Sequence, residues 1–570
     1  MIIMKRIAIY LAAITAILLV VTACTKKLEE YNPGGLTADV VFNTPAGFEA
    51  GVSAAYSYNR HLWGKEAGYH LYEASSDLWM SGVDDQNTEI TQFTSGLNSN
   101  NAIITANWQR LYSVINLCNA LINRVSKSGL SDNLKAIREG ELRMLRAWYY
   151  YTIVETWGNV HFTLEETQGI VNTANRKPVD TFYKQIITDL RWAAANLPNT
   201  TTDNGRVTKP AAEAFLSKIF LYTKNYDSSY HYANRVMTLY DLQLQPSYAA
   251  LWNMNNQVNK EIIWAVNYST NLSLNDFQGP AGAIVYPGGH PRGAHNGHLM
   301  FLQKYDVRPG MVRDIPYGRP FTRYMPTRFL LDLFDETKDS RYAGSFQDVW
   351  YSNKTTATKY ERVLTTGVKQ EFTINVGDTA HWMPKRTVVT NEFRDSRKYE
   401  IFDRTNVYNT NGTSRNTSNF ISLKKFLDPT RPSVAEQQSA RDAVIFRLAD
   451  IILIAAEAKL MLNEKTEAAN LINRVRRRAV ISTLPSNTLD IAPADVTIDF
   501  LLDERARELA GEQWRWFDLK RTGKLVERVG LYNPQAALNI KPFHTVRPIP
   551  QSQIDAVVNK TEFIQNPGYQ

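Results

Sequence analysis

Apolar side chains return every third or fourth residue in two long stretches, and this spacing constrains the fold more than any other feature. Between 101 and 125 they are Ile104, Trp108, Leu111, Ile115, Cys118, Leu121 and Ile122. Between 133 and 157 they are Leu142, Leu145, Trp148, Tyr149, Thr152, Ile153 and Thr156, and Gly158 follows as a stop. That period belongs to a helix with one buried face. The same reading predicts helices at 179–197, before Pro198, at 209–223 and at 228–240. Consecutive helices of this length bury their faces only against one another. The expected class is therefore mainly α, with tetratricopeptide-like helix pairs as the scaffold. The pair over 218–236 is the best single match, with Ala214, Phe215, Leu221, Tyr222, Tyr226 and Ala233 suitably placed.

The middle of the chain breaks the pattern. From 246 to 433 it is rich in Gly, Pro, Asn, Tyr and Trp, and turn signals are frequent. This predicts a large irregular, loop-rich, ligand-facing region laid over the helices, because binding concentrates on long ordered loops. Helices return at 446–462, 466–479 and 498–511, with Asp503 and Arg507 one turn apart. The expected division is a leader at 1–23, a helical region at 24–245, and a region at 246–570. The last comprises an irregular middle, 246–433, and C-terminal helices, 434–570.

The leader has its own logic. Lys5 and Arg6 precede an apolar run from Ile7 to Val21, which ends in Val21-Thr22-Ala23-Cys24. A basic start, an apolar core and a small-residue exit describe a secretory signal. The run is shorter than the ~20 residues needed to span a bilayer. The exit is similar to a bacterial lipobox, so Cys24 is expected to carry lipid. Two or more acyl chains, at ~0.8 kcal/mol per buried CH₂, hold a protein durably on a membrane. The remaining cysteine, Cys118, lies in an apolar helical stretch without a partner and reads as packed core.

Charge excludes other classes. The net charge is +8 over 570 residues, and apart from Arg474, Arg476, Arg477 and Arg478 the basic residues are dispersed. That run falls late in a predicted helix, where cations suit the dipole, so nucleic-acid binding is not indicated. Neither a Gly-x-Ser-x-Gly elbow nor a phosphate loop occurs, and His290, His295 and His298 lie in a Gly/Pro loop without a His-Glu-x-x-His motif. No metal, cofactor or catalytic group is assigned.

Several segments together resemble the SusD/RagB family. They are Gly140 to Tyr150 with Trp157-Gly158, Ile186 to Leu190 ahead of Leu197-Pro198, and Gly205 to Ala212. The most specific is Glu504 to Gly523, and Pro548 to Ile554 and Gln565 to Tyr569 fit the same family. The resemblance implies a lipid-anchored protein on the outward side of the outer membrane. It would bind a nutrient, most often an oligosaccharide or other glycan, and deliver it to a partner SusC-like TonB-dependent transporter. Some members handle peptides. A surface glycan hydrolase is the alternative of another class, since it needs only two suitably spaced carboxylates.

Sugars present C–H faces edged by hydroxyls, which aromatic rings and Asn, Asp, Gln or Arg side chains recognise. Two clusters have that composition. One holds Trp63, Tyr69, Tyr72, Asp77 and Trp79 and runs into Asp84-Asp85-Gln86-Asn87; Asp77 and Trp79 are its candidate ligand residues. The other spans 286–298, with Tyr286 and Arg292 as candidates. Trp148 and Tyr149, at helical spacing, are assigned to the core.

Overall fold

The computed structural model describes residues 37–269 and 295–569. Cys24 and the leader lie outside them. Within them the fold is mainly α, and no described helix is long and apolar enough to cross a membrane.

The helices begin and end where local chemistry directs. Thr44 caps α1 (Pro45–Ser57), which has Pro at its start. Asn101 accepts from the Ile103 and Ile104 N–H groups at the head of α2 (Ala102–Arg124). The long α3 (Asp132–Trp157) stops at Gly158, whose φ of +74° suits glycine. Next come α4 (Val179–Asn196), α5 (Lys209–Tyr222) and α6 (Tyr226–Leu239), the last capped by Asn225. After the irregular middle come α7 (Leu448–Met461), α8 (Lys465–Ala479), α9 (Ile498–Leu509), α10 (Arg515–Arg521) and α11 (Leu525–Tyr532).

Each helix from α2 to α8 packs on the next, and this holds for α6 and α7 even though the whole irregular middle separates them in sequence. The stack is therefore continuous in space and interrupted only in the chain. The interruption is sealed by an antiparallel pair, Ile262–Val266 against Ala443–Arg447, with Ile262 opposite Arg447. The excursion thus leaves and re-enters at one point. Periodicity places Phe446 at a helix start; the structure puts it in this strand, and α7 begins at Leu448. The reason is the strand pairing, a tertiary contact that the helical period does not register.

Two cores result. The larger runs through the helical stack and includes Trp148, Phe446 and Trp514, whose rings lie 5.7–6.0 Å apart. Cys118 is buried in it, and burial pushes its thiol up to about 12, so it is no nucleophile. The smaller core underlies the excursion and includes Tyr69, Trp79, Phe301, Tyr324 and Phe426.

A buried ion network joins the two. Glu504, Glu508 and Glu512 stand one turn apart, from α9 into the following turn. Arg447 reaches Glu508 at 2.7 Å, Glu512 at 2.8 Å and Glu261 at 2.9 Å. Arg341, from the excursion, reaches Glu504 at 2.8 Å and Glu508 at 2.9 Å. The arginine run of α8 serves the same network: Arg476 pairs with Glu504, and Arg478 with Glu508 and Glu261. The expected Asp503–Arg507 pair does not form. Arg507 takes Glu504, three residues back on the same helix, at 2.8 Å, and Asp503 takes Arg528, which α11 brings alongside.

Candidate ligand-binding face

Every residue from His61 to Gly82 is buried. The first candidate cluster is therefore interior, and both residues chosen from it are corrected. Asp77 is fully buried and receives two hydrogen bonds from Arg515, at 2.6 and 2.7 Å, and one from Arg528 at 3.1 Å. Burial alone would raise its carboxyl, but the two guanidinium groups hold it below the usual range. Trp79 is also fully buried; its indole N–H donates to Glu73 at 2.8 Å and its ring packs on Phe301. Neither side chain is presented to solvent. Their aromatic-plus-acid composition is that of a binding surface and equally that of a fully paired core, and only burial separates the two. Tyr286, Arg292 and His290 lie outside the described residues. His295 and His298 are buried.

The chain surfaces immediately after this segment. The strand Trp79–Ser81 pairs with Tyr324–Pro326, and the Gly82 N–H continues the ladder to the Arg323 carbonyl at 2.8 Å. A Cβ at Gly82 would fall 2.2 Å from the Thr322 carbonyl oxygen, so the close approach requires glycine. Val83 and Asp84 then emerge on the outside. Asp85 turns back inward, accepting from the Thr91 hydroxyl at 2.8 Å, the Asn87 N–H at 3.0 Å and His70 Nε2 at 3.2 Å. Burial opposes the charged form of His70, but Asp85 outweighs it and holds the imidazole above its ordinary value. The buried pair fixes the base of the loop.

The loop 303–323 lies beside it. Lys304 Nζ meets Asp84 at 3.0 Å in a partly exposed ion pair, and its N–H donates to the Ser418 carbonyl. Phe321, half-buried, lies between the guanidinium groups of Arg319 and Arg323, at 5.6 and 5.4 Å. Tyr317 packs on Tyr305 at 5.5 Å, and its hydroxyl accepts from the Tyr351 N–H at 3.0 Å. Tyr351 is 51% exposed at the end of the strand Val349–Tyr351. The next residue inward, Trp350, stacks on buried His381 at 4.3 Å and anchors that strand. Tyr317 and Phe321 are partly buried and Tyr351 is half exposed, and with the charged groups of Asp84, Lys304 and Arg319 they make up the candidate face. Sequence reading reached Asp84 within its cluster and missed the others. The only signal for them was their place in the irregular region.

Two adjoining clefts of about 310 and 220 Å³ open where the 203–208 turn passes the strand Ile262–Val266. Their polar lining is largely engaged within the protein. Trp264 Nε1 donates to the Gly205 carbonyl at 3.2 Å and Arg60 Nε to the Asn267 carbonyl at 2.9 Å. The Gly205-to-Ala212 motif is thus a turn that meets the strand Ile262–Val266 and leads into the first turn of α5.

Comparison with known proteins follows the same outline. Residues 260–569 match the model described as the SusD family, and residues 48–221 match one described as starch-binding associating with outer membrane. A SusD-like protein P25 of Formosa agariphila is 24% identical over 573 residues, covering 96% of this chain and 97% of that protein. SusD-like protein P2 of the same organism is 23% identical, covering 98% and 99%. Among solved structures, a laminarin binding SusD-like protein aligns with a TM-score of 0.66 at 21% identity, covering 92% of this chain and 99% of that one. Surface glycan-binding protein A from Bacteroides thetaiotaomicron, in complex with laminarihexaose, aligns with a TM-score of 0.65 at 19% identity, over 92% and 99%.

Proposed function

The chain belongs to the SusD family, and from that premise we propose that it is a non-catalytic surface lipoprotein that binds a nutrient glycan. The observation that carries this reading is the face of Tyr317, Phe321 and Tyr351, edged by Asp84, Lys304 and Arg319. Rings of this kind cover the C–H faces of sugars, and the polar rim meets their hydroxyls. The laminarin- and laminarihexaose-binding proteins of the same fold support the ligand class.

The glycan is then delivered to a partner SusC-like TonB-dependent transporter in the outer membrane, with the lipid on Cys24 holding the protein beside it, facing outward. A lipid suffices because the transporter performs the crossing. A glycan array on the soluble body tests the ligand class; binding of peptides with no glycan retained would overturn it. Tyr351→Ala is expected to weaken the captured glycan about tenfold, about 1.4 kcal/mol, in a calorimetric titration. Its stability should stay within about 0.5 kcal/mol, since the side chain is half in solvent. Unchanged affinity would remove Tyr351 from the site. Cys24→Ser is expected to move the protein from the membrane pellet to the soluble fraction, and firm membrane attachment of that variant would refute the anchor.

A further inference from the structure

A separate cleft of about 580 Å³ opens on the helical stack, built from elements that take no part in the loop face. One face of α2 supplies Trp108, Gln109, Tyr112, Ser113 and Asn116; the other walls come from the segment 161–174 and the C-terminal segment 553–563. Its volume falls in the range of small-ligand sites. Among the described residues no Asp, Glu, Lys or Arg lines it, although 21% of the chain is charged.

The floor is aromatic. Trp108 and Tyr112 lie 4.7 Å apart, Trp108 is backed edge-on by Trp157, and the Tyr112 hydroxyl is tied to the His161 carbonyl at 2.8 Å. The rim is polar and neutral. His161 Nδ1 accepts from the Asn175 N–H at 3.2 Å, and burial keeps the imidazole below its ordinary value. The ring is therefore uncharged with its proton on Nε2, which makes no hydrogen bond among the described residues. Asn116 uses its carbonyl oxygen on the Thr167 N–H at 2.7 Å and keeps its amide N–H₂ unused there. The side-chain amides of Gln109 and Gln553 likewise make no hydrogen bond among the described residues.

We propose that this cleft is a second ligand site, for a short uncharged saccharide segment. Aromatic floor, amide and imidazole rim and absence of charge fit a ligand with C–H faces and hydroxyls. An anionic ligand would find no counter-charge and would lose hydration without compensation. The site goes beyond the loop face and does not depend on it.

Hydrogen-exchange mass spectrometry of the soluble body, with maltose, cellobiose and laminaribiose at millimolar concentration, tests the proposal. At least one disaccharide should slow exchange in peptides covering 108–116 and 161–174. That protection should persist in Tyr351→Ala, which impairs the loop face alone. Gln109→Ala and Gln553→Ala, both surface amides whose loss leaves folding intact, should each weaken the protecting sugar three- to tenfold. The proposal is overturned if none of the three sugars protects these peptides, or if the double variant retains full protection. It is also overturned if an acidic disaccharide protects equally, or if a protein partner seated on exposed Ile170 and Val558 at the margin protects where the sugars do not.

Discussion

Asp77→Ala is expected to destabilise the protein by about 3–5 kcal/mol, the usual effect of removing one partner from a buried ion pair. Arg515 is itself buried; without Asp77 its remaining acceptor among the described residues is the Leu502 carbonyl at 2.6 Å. Arg528 would keep Asp499 and Asp503 but lose its interior anchor. The substitution also opens the junction between the segment 61–82 and the α9–α11 region. The urea midpoint is the readout. Asp84→Ala, seven residues on, is the comparison: its partner is the partly exposed Lys304, and its effect on stability should not exceed about 1 kcal/mol. A ligand-contacting Asp77 would show the reverse pattern, with affinity lost and stability kept, and that result would refute the interior assignment.

The second large effect is electrostatic and shows as pH dependence. Burial alone would raise the Glu508 carboxyl, but Arg478, Arg447 and Arg341 bring it down from 4.5 to about 2. Asp518, held by Arg505, Lys218 and Arg521 against the same burial, comes down from 3.8 to about 2. A carboxyl depressed in the folded state contributes stability above its unfolded value. That contribution disappears as pH falls through the folded value. At 1.36 kcal/mol per unit, Glu508 alone contributes on the order of 3 kcal/mol at neutral pH. The urea midpoint should therefore fall steeply as pH drops from about 4.5 towards 2, over the range in which Glu508 titrates. Glu508→Gln should start lower at pH 7 by on the order of 3 kcal/mol and decline with a shallower slope in acid. Identical slopes for the two proteins would show that Glu508 is not a linked group.

These two sites explain why the segment from Glu504 to Gly523 is so specific a motif. Its acids and arginines are buried and paired with charged groups of the protein itself. They lock the irregular excursion to the helical stack, through Arg341 and Arg447 on one side and Asp77 on the other. Motif strength in this chain marks the junction between its two cores. The candidate face, by contrast, is carried by loop residues such as Tyr317 and Tyr351, whose neighbours give no local pattern.

Local chemistry sets most of the helices, since a 3.6-residue apolar period, Asn101 as a cap and Gly158 as a stop act within a few residues of one another. The sequence by itself also determined the family, because the motifs recur in order along the chain. Which aromatics face outward was decided only by the tertiary structure. Trp79 and Tyr351 differ little in local context, yet one is sealed under Phe301 and the other half in water. That difference depends on strand pairing between residues hundreds apart, Trp79 with Pro326, and on strand-end position for Tyr351 beside Thr379. The joining of α6 to α7 across the excursion has the same cause. Contacts that close long loops are stabilised by burial summed over the whole domain, and no short window of residues records that sum.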